Sequence, residues 1–126
     1  PAAPVCLIVD DSVSVRRAME LFLQDLGLHV ESASDGIDAM ALVDKRVPDL
    51  IIADLEMPRM NGVELASALR ARADTAAVPF IMITSRYSDK HKQLALSAGA
   101  DIFLTKPYTE DELAAHVQRS LNRGPR

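Results

Sequence analysis

Chemistry-bearing side chains gather in four short stretches: the acidic pair Asp10 and Asp11, the acid Asp54, the hydroxyl residues Thr84 and Ser85, and Lys106. Each stretch lies at or just past the end of a short apolar run, so a fold that aligns those runs brings the polar groups to one edge. Three carboxylates within a few ångströms of one another repel by ~4 kcal/mol per pair at ~4 Å if the effective dielectric is ~20. A cation relieves that repulsion. Mg²⁺ suits an all-oxygen site that keeps several waters and uses one or two carboxylates plus a phosphate oxygen, and Mn²⁺ is an acceptable substitute. Lys106 adds a fixed positive charge. A phosphoryl group could then sit between metal and ammonium, with the Thr84 hydroxyl donating to one of its oxygens. In such a setting Asp54 is a nucleophile toward phosphorus, and the product is an aspartyl phosphate.

The elements that must position these residues are marked by periodicity. Val5 to Val9, Leu50 to Ala53 and Phe80 to Ile83 are strand-like, and Leu28 to Ala33 and Asp101 to Leu104 are weaker runs suited to sheet edges. A helical stretch follows each. In the first, Val15, Met19, Phe22, Leu23 and Leu26 share one face that must cover a sheet. Gly27 and Gly99 stand where the first and fourth helices should end. Thr109, followed by Glu110, Asp111 and Glu112, marks the start of the last, the hydroxyl capping a free amide and the carboxylates opposing the helix dipole. Alternating strands and helices imply a parallel sheet with right-handed crossovers, hence a doubly wound α/β sandwich. Ligands of such sheets bind beyond the carboxyl ends of the strands, which is where the polar residues fall.

Composition narrows the class. A chain of 126 residues suits one domain with one core, expected over residues 5–122, with 1–4 and 123–126 as linker remnants or frayed ends. Eighteen acidic against 14 basic residues give a net charge of −4, and the basic residues are scattered, which argues against nucleic acid as a direct partner. The single cysteine, Cys6, forbids an internal disulfide and fits a reducing, cytoplasmic compartment. No apolar run approaches the ~20 residues of a membrane span, so no membrane contact by this domain is expected.

The motifs VDDS, ADLEMPRMNG, MITS and LTKP, in that order and spacing, resemble the response-regulator receiver family of two-component signalling over essentially the whole chain. The resemblance implies a five-stranded flavodoxin-like sheet of order 2-1-3-4-5 with helices on both faces. It implies that Asp11 binds Mg²⁺ directly and Asp10 mainly through water, that Asp54 accepts the phosphoryl group and also binds the metal, and that the Glu56 backbone carbonyl completes the protein ligands. Thr84 and Lys106 would contact the phosphoryl oxygens, Phe103 would be the switch aromatic that turns inward as Thr84 moves toward the phosphate, and the Lys106–Pro107 bond would be cis. A histidine kinase or histidine phosphotransfer domain would be the donor, and an output partner would dock on the surface of the fourth helix, fifth strand and fifth helix. The fragment would not be an enzyme toward external substrates. DDSVSVRR, EMPRMNGVELA, ITSR and KPY are most similar to receivers at the C-terminal end of hybrid CheA-type kinases; a stand-alone regulator is the alternative. Glu56 and Arg86 flank the expected route of attacking water, and their pairing across the site mouth would set the phosphate lifetime.

Plainer roles compete at each position. Asp11 with Ser12 could merely cap a helix, Asp54 could be a loop acid, Thr84 a cap and Lys106 a solvated turn lysine. Met57 and Met60 read as packing residues and Cys6 as a small buried apolar one. His29, His91 and His116 lack metal-ligand spacing. Lys90, His91 and Lys92 form a basic stretch that is a solvated face or a docking site, and Leu113, Val117 and Leu121 form a core-facing or dimerising stripe. Among whole-protein alternatives, a phosphorylation-independent adaptor is disfavoured by the intact polar set. A flavin phosphate would be repelled by Asp10 and Asp11, and an aspartyl phosphatase needs its two acids spaced two apart after the first strand rather than adjacent.

Overall fold

The computed structural model describes residues 2–123. Among them, five strands alternate with five helices: β1 Val5–Val9, α1 Val13–Asp25, β2 His29–Ala33, α2 Gly36–Lys45, β3 Leu50–Asp54, α3 Gly62–Arg70, β4 Phe80–Thr84, α4 Asp89–Ala98, β5 Ile102–Thr105 and α5 Glu110–Arg123. All strand pairs are parallel and the order is β2-β1-β3-β4-β5, the expected doubly wound arrangement with the two weak runs at the edges.

Strand alternation divides the core in two. Leu7, Val9, Ile51, Ala53, Phe80 and Met82 point to one side, where α2, α3 and α4 cover them with Val43, Leu65, Leu69 and Ala95. Cys6, Ile8, Ile52, Ile81, Ile83 and Leu104 point to the other, against Leu23 of α1 and Leu113 and Val117 of α5. Leu113 and Val117 therefore belong to the core, and Leu121 packs against it, which leaves that stripe no free face for dimerisation. The central strands are buried on both faces, which is why they read as unbroken apolar runs.

Two strands extend one residue beyond the apolar run. Asp54 still pairs with Ile83, and Thr84 with Thr105, because backbone pairing continues after the side chains turn polar. At the other edge, β5 runs Ile102–Thr105 rather than 101–104; Asp101 instead turns its carboxylate back to accept from the Phe80 amide at 2.9 Å. Helix ends follow the expected chemistry. Gly27 and Gly99 adopt φ of 92° and 116° after α1 and α4. Thr109 and Glu112 cap α5 reciprocally: the Glu112 amide donates to the Thr109 hydroxyl at 3.0 Å, and the Thr109 amide donates to the Glu112 carboxylate at 3.2 Å. α5 continues to Arg123, and the Pro4 carbonyl accepts from the His29 amide at 2.8 Å. The remainder of the expected frayed ends, residues 1 and 124–126, lies outside the described residues.

Candidate functional site

The parallel sheet delivers β1, β3, β4 and β5 with their carboxyl ends side by side. Carboxylate oxygens of Asp10, Asp11 and Asp54 all lie within 4.8 Å of one another. At that separation each ionised pair costs ~3–4 kcal/mol if the effective dielectric is ~20. Asp11 is exposed, Asp54 is half-buried and the Asp10 side chain is 13% exposed. Burial, reinforced by the Asp10 carboxylate and opposed by Lys106 and the Glu56 backbone N–H, pushes the Asp54 carboxyl up to about 6. Asp10 is held from its own loop: one oxygen accepts the Ser12 amide at 2.8 Å, and the other lies 4.0 Å from Lys106 Nζ. The donor set is all carboxylate, partly open and short of positive charge. It fits a hard divalent cation.

Ser12, not Asp11, caps α1, its hydroxyl accepting from the Val15 amide at 3.3 Å, so both acids of the pair are left for the site. The Lys106–Pro107 bond is cis, as expected. Thr84 is fully buried; its hydroxyl accepts from the Arg86 amide at 3.0 Å and reaches the Arg86 carbonyl at 3.2 Å, so it is engaged with its own loop. Arg86 Nε stands 3.5 Å from the Glu56 carboxylate, an exposed pair at the mouth of the site. Phe103 packs partly buried against the α3/α4 side of the core, edge-on to Tyr87 with ring centroids 6.3 Å apart.

Other assignments also find their places. Cys6 is buried, with its thiol pushed far up by desolvation. Met57 and Met60 pack on the core. His29 is exposed, while His91 and His116 are half-exposed and far from the acidic cluster in sequence. Lys90 and Lys92 are solvent-exposed on α4.

One site residue was not singled out from sequence. Arg16 lines the same cavity as Asp10, Asp54 and Lys106, and its guanidinium donates to the Asp10 carbonyl at 2.6 Å. The available signal was its place one turn after the Ser12 cap, on the face that α1 turns toward the sheet. With Arg16 included, three carboxylates face two cations, leaving one excess negative charge. A divalent ion held there would invert the sign and create a receptacle for an anion.

Comparison with known proteins agrees with this geometry. Residues 6–118 match the family described as response regulator receiver domain. The chain is 37% identical over 117 residues to the response regulator MprA of Mycobacterium sp. (strain KMS), covering 93% of this chain and 50% of that protein. It thus spans about half the length of the curated relatives it matches. Among solved structures, chemotaxis response regulator CheY4 of Vibrio cholerae superposes with a TM-score of 0.89 at 38% identity, covering 95% of this chain and 100% of that one. The receiver domain of sensor histidine kinase PA1611 from Pseudomonas aeruginosa, with a magnesium ion coordinated in its active site cleft, gives 0.88 at 28% identity, covering 96% and 99%.

Proposed function

Because this chain belongs to the response-regulator receiver family of two-component signalling, we propose that it takes a phosphoryl group from a phosphohistidine onto Asp54 with Mg²⁺ or Mn²⁺ bound beside it. The observation that carries this reading is the convergence of the Asp10, Asp11 and Asp54 carboxylates within 4.8 Å, with Lys106 reaching the same cluster. A carboxylate oxygen of Asp54 attacks phosphorus as the phosphorus–nitrogen bond breaks, and the histidine leaves with the electron pair. Asp10, Asp11, Asp54 and the Glu56 carbonyl hold the ion, which supplies neutralising charge where three carboxylates and the phosphoryl oxygens meet. Lys106 and Thr84 bind phosphoryl oxygens. For Thr84 this requires giving up the Arg86 backbone contacts, and that exchange couples the site to Phe103 and the α4–β5–α5 face. Exposed Tyr87 and Leu96 make that face suitable for an output partner.

The reaction is confined to the protein's own carboxylate, so the domain is a switch rather than an enzyme toward outside substrates. A histidine kinase or histidine phosphotransfer domain is the donor. Among the described residues no helix is long and apolar enough to cross a membrane, in keeping with a cytoplasmic setting. The absence of nucleic-acid binding is proposed for these residues alone. The finer placement, at the C-terminal end of a hybrid CheA-type kinase, rests on the wording of the motifs and on likeness to a kinase-borne receiver. Likeness to MprA and CheY4 supports the second reading, a response regulator not fused to a kinase. A kinase core upstream in the encoding reading frame decides for the first.

Intact-mass spectrometry after incubation with acetyl phosphate and Mg²⁺ tests the function. One phosphoryl mass is expected, absent with a chelator and absent in Asp54→Asn. No gain in the wild-type protein, as for an adaptor, overturns the proposal; so does an undiminished gain in Asp54→Asn.

A further inference from the structure

We propose that Arg59 is a positioning residue for the metal site: it clamps the loop after β3 onto the start of α2 and so fixes where the Glu56 backbone carbonyl stands. The inference rests on the metal-binding reading of Asp54 and Glu56 given above.

Among the described residues Arg59 is the one non-glycine with positive φ, at 63°. The left-handed region is costly for a side chain bearing a Cβ, and glycine would adopt it freely. An arginine kept there must return something through its side chain. Its guanidinium spans two carboxylates at the start of α2: Nε donates to Asp35, the N-cap, at 2.6 Å and a terminal nitrogen donates to Asp38, in the first turn, at 3.0 Å. Asp35 is 3% exposed and divides its oxygens, one capping α2 through the Asp38 amide at 2.9 Å and the other meeting Arg59. The guanidinium beside it holds the Asp35 carboxyl below its usual range.

The backbone repeats the attachment. Gly36 donates its amide to the Met60 carbonyl at 3.0 Å, and a Cβ at Gly36 would come within 2.5 Å of the Met60 side chain, so the loop lies directly on the helix start. At its base the loop is closed by the Gly62 amide on the Leu55 carbonyl at 3.0 Å and tied to β4 by the Leu55 amide on the Ile83 carbonyl at 2.8 Å. Residues 56–61 therefore form a bridge pinned at both ends, with Glu56 beside one anchor and Arg59 at the crest. Loss of the guanidinium contacts leaves the Gly36–Met60 hydrogen bond alone to hold the crest against α2, and a main-chain oxygen in the span is then less firmly set. Groups that orient metal ligands act in this way on affinity without touching the metal.

Calorimetric titration with Mg²⁺ tests the clamp. Arg59→Gly removes the guanidinium and relieves the backbone, so the metal-free fold should melt at or near the wild-type temperature. Its Mg²⁺ affinity should fall by ~10-fold, the lower end of the loss seen when a ligand-orienting partner is removed. Phosphorylation by acetyl phosphate should half-saturate at correspondingly higher Mg²⁺, with the rate at saturating Mg²⁺ within about twofold of wild type, since no group touching phosphorus has changed. Arg59→Lys, which keeps a cation but can hold one carboxylate at a time, should fall between the two. Wild-type Mg²⁺ affinity in both variants overturns the clamp, as does a lowered saturating rate with affinity unchanged. A wild-type protein that binds no Mg²⁺ instead overturns the function on which the clamp depends.

Discussion

At the scale of single residues, Asp54 carries a stability cost that the proposed phosphoacceptor role would require. Its carboxyl moves from the ordinary 3.8 up to about 6, chiefly through burial and then through Asp10. Below pH ~4 both folded and unfolded chains hold the proton and the shift has no effect. Between ~4 and ~6 the unfolded chain ionises first, so stability falls as pH rises, and above ~6 the full penalty persists. The group is only half-buried, so solvent screening reduces the penalty to ~1–2 kcal/mol. Asp54→Asn should therefore raise the melting temperature in chelator at pH 7.5 by a few degrees, with the gain vanishing near pH 4. Mg²⁺ should stabilise the wild type more than this variant. Equal melting curves at pH 7.5 would contradict the electrostatic account. Glu56 and Arg86 make the opposite case. Their side chains are 42% and 74% exposed at 3.5 Å, so the pair should contribute under ~1 kcal/mol. The double change Glu56→Gln with Arg86→Gln should leave unfolding by urea almost unaltered while changing the dephosphorylation rate. A rate that stays the same removes the lifetime role.

At the scale of elements, α5 joins the surface proposed for output to the core. Leu113 and Val117 are 2% and 0% exposed beneath it, packed with Ile81, Ile83 and Leu104 of the two strands that also carry Thr84 and lead to Lys106. Truncation there opens a cavity in a region with little freedom to collapse. Leu113→Ala should cost ~2–4 kcal/mol in urea unfolding, without altering the sedimentation coefficient of the folded protein. A change in oligomeric state would assign the stripe an intermolecular role that its packing argues against. On the opposite side of the sheet, α4 is more lightly seated, with Ala95 alone in its span fully buried and Leu94 and Leu96 facing solvent. That difference suits α4 to movement and α5 to holding still.

At the scale of the whole molecule, the sheet is what turns scattered residues into a site. Asp10 follows β1 and Asp54 ends the adjacent β3, while Thr84 ends β4 and Lys106 follows β5, so the edge proposed for catalysis is simply the line of carboxyl ends. Because ligands gather where strand order reverses, and β1 is flanked by β2 and β3, the acidic cluster falls at the switch point. The two half-cores lie under opposite faces, and in the proposed switch a shift of Thr84 toward bound phosphoryl would be felt on the face that holds Phe103 and α4.

Much of this was legible in the amino-acid order alone. Buried parallel strands must be apolar on both faces and must end where polar residues begin, so strands and acidic loops announce themselves locally. The family motifs supplied strand order and the cis peptide, which periodicity could not. Strand ends at Asp54 and Thr84 were misjudged by one residue because side-chain polarity marks the surface, whereas backbone pairing marks the strand. Only the tertiary structure decided that Arg16 turns into the acidic cavity and that Arg59 bridges Asp35 and Asp38. The Arg59–Asp35 contact joins residues 24 apart through a left-handed backbone. Nothing in local pattern encodes a contact between two loops; it exists because the sheet sets them side by side.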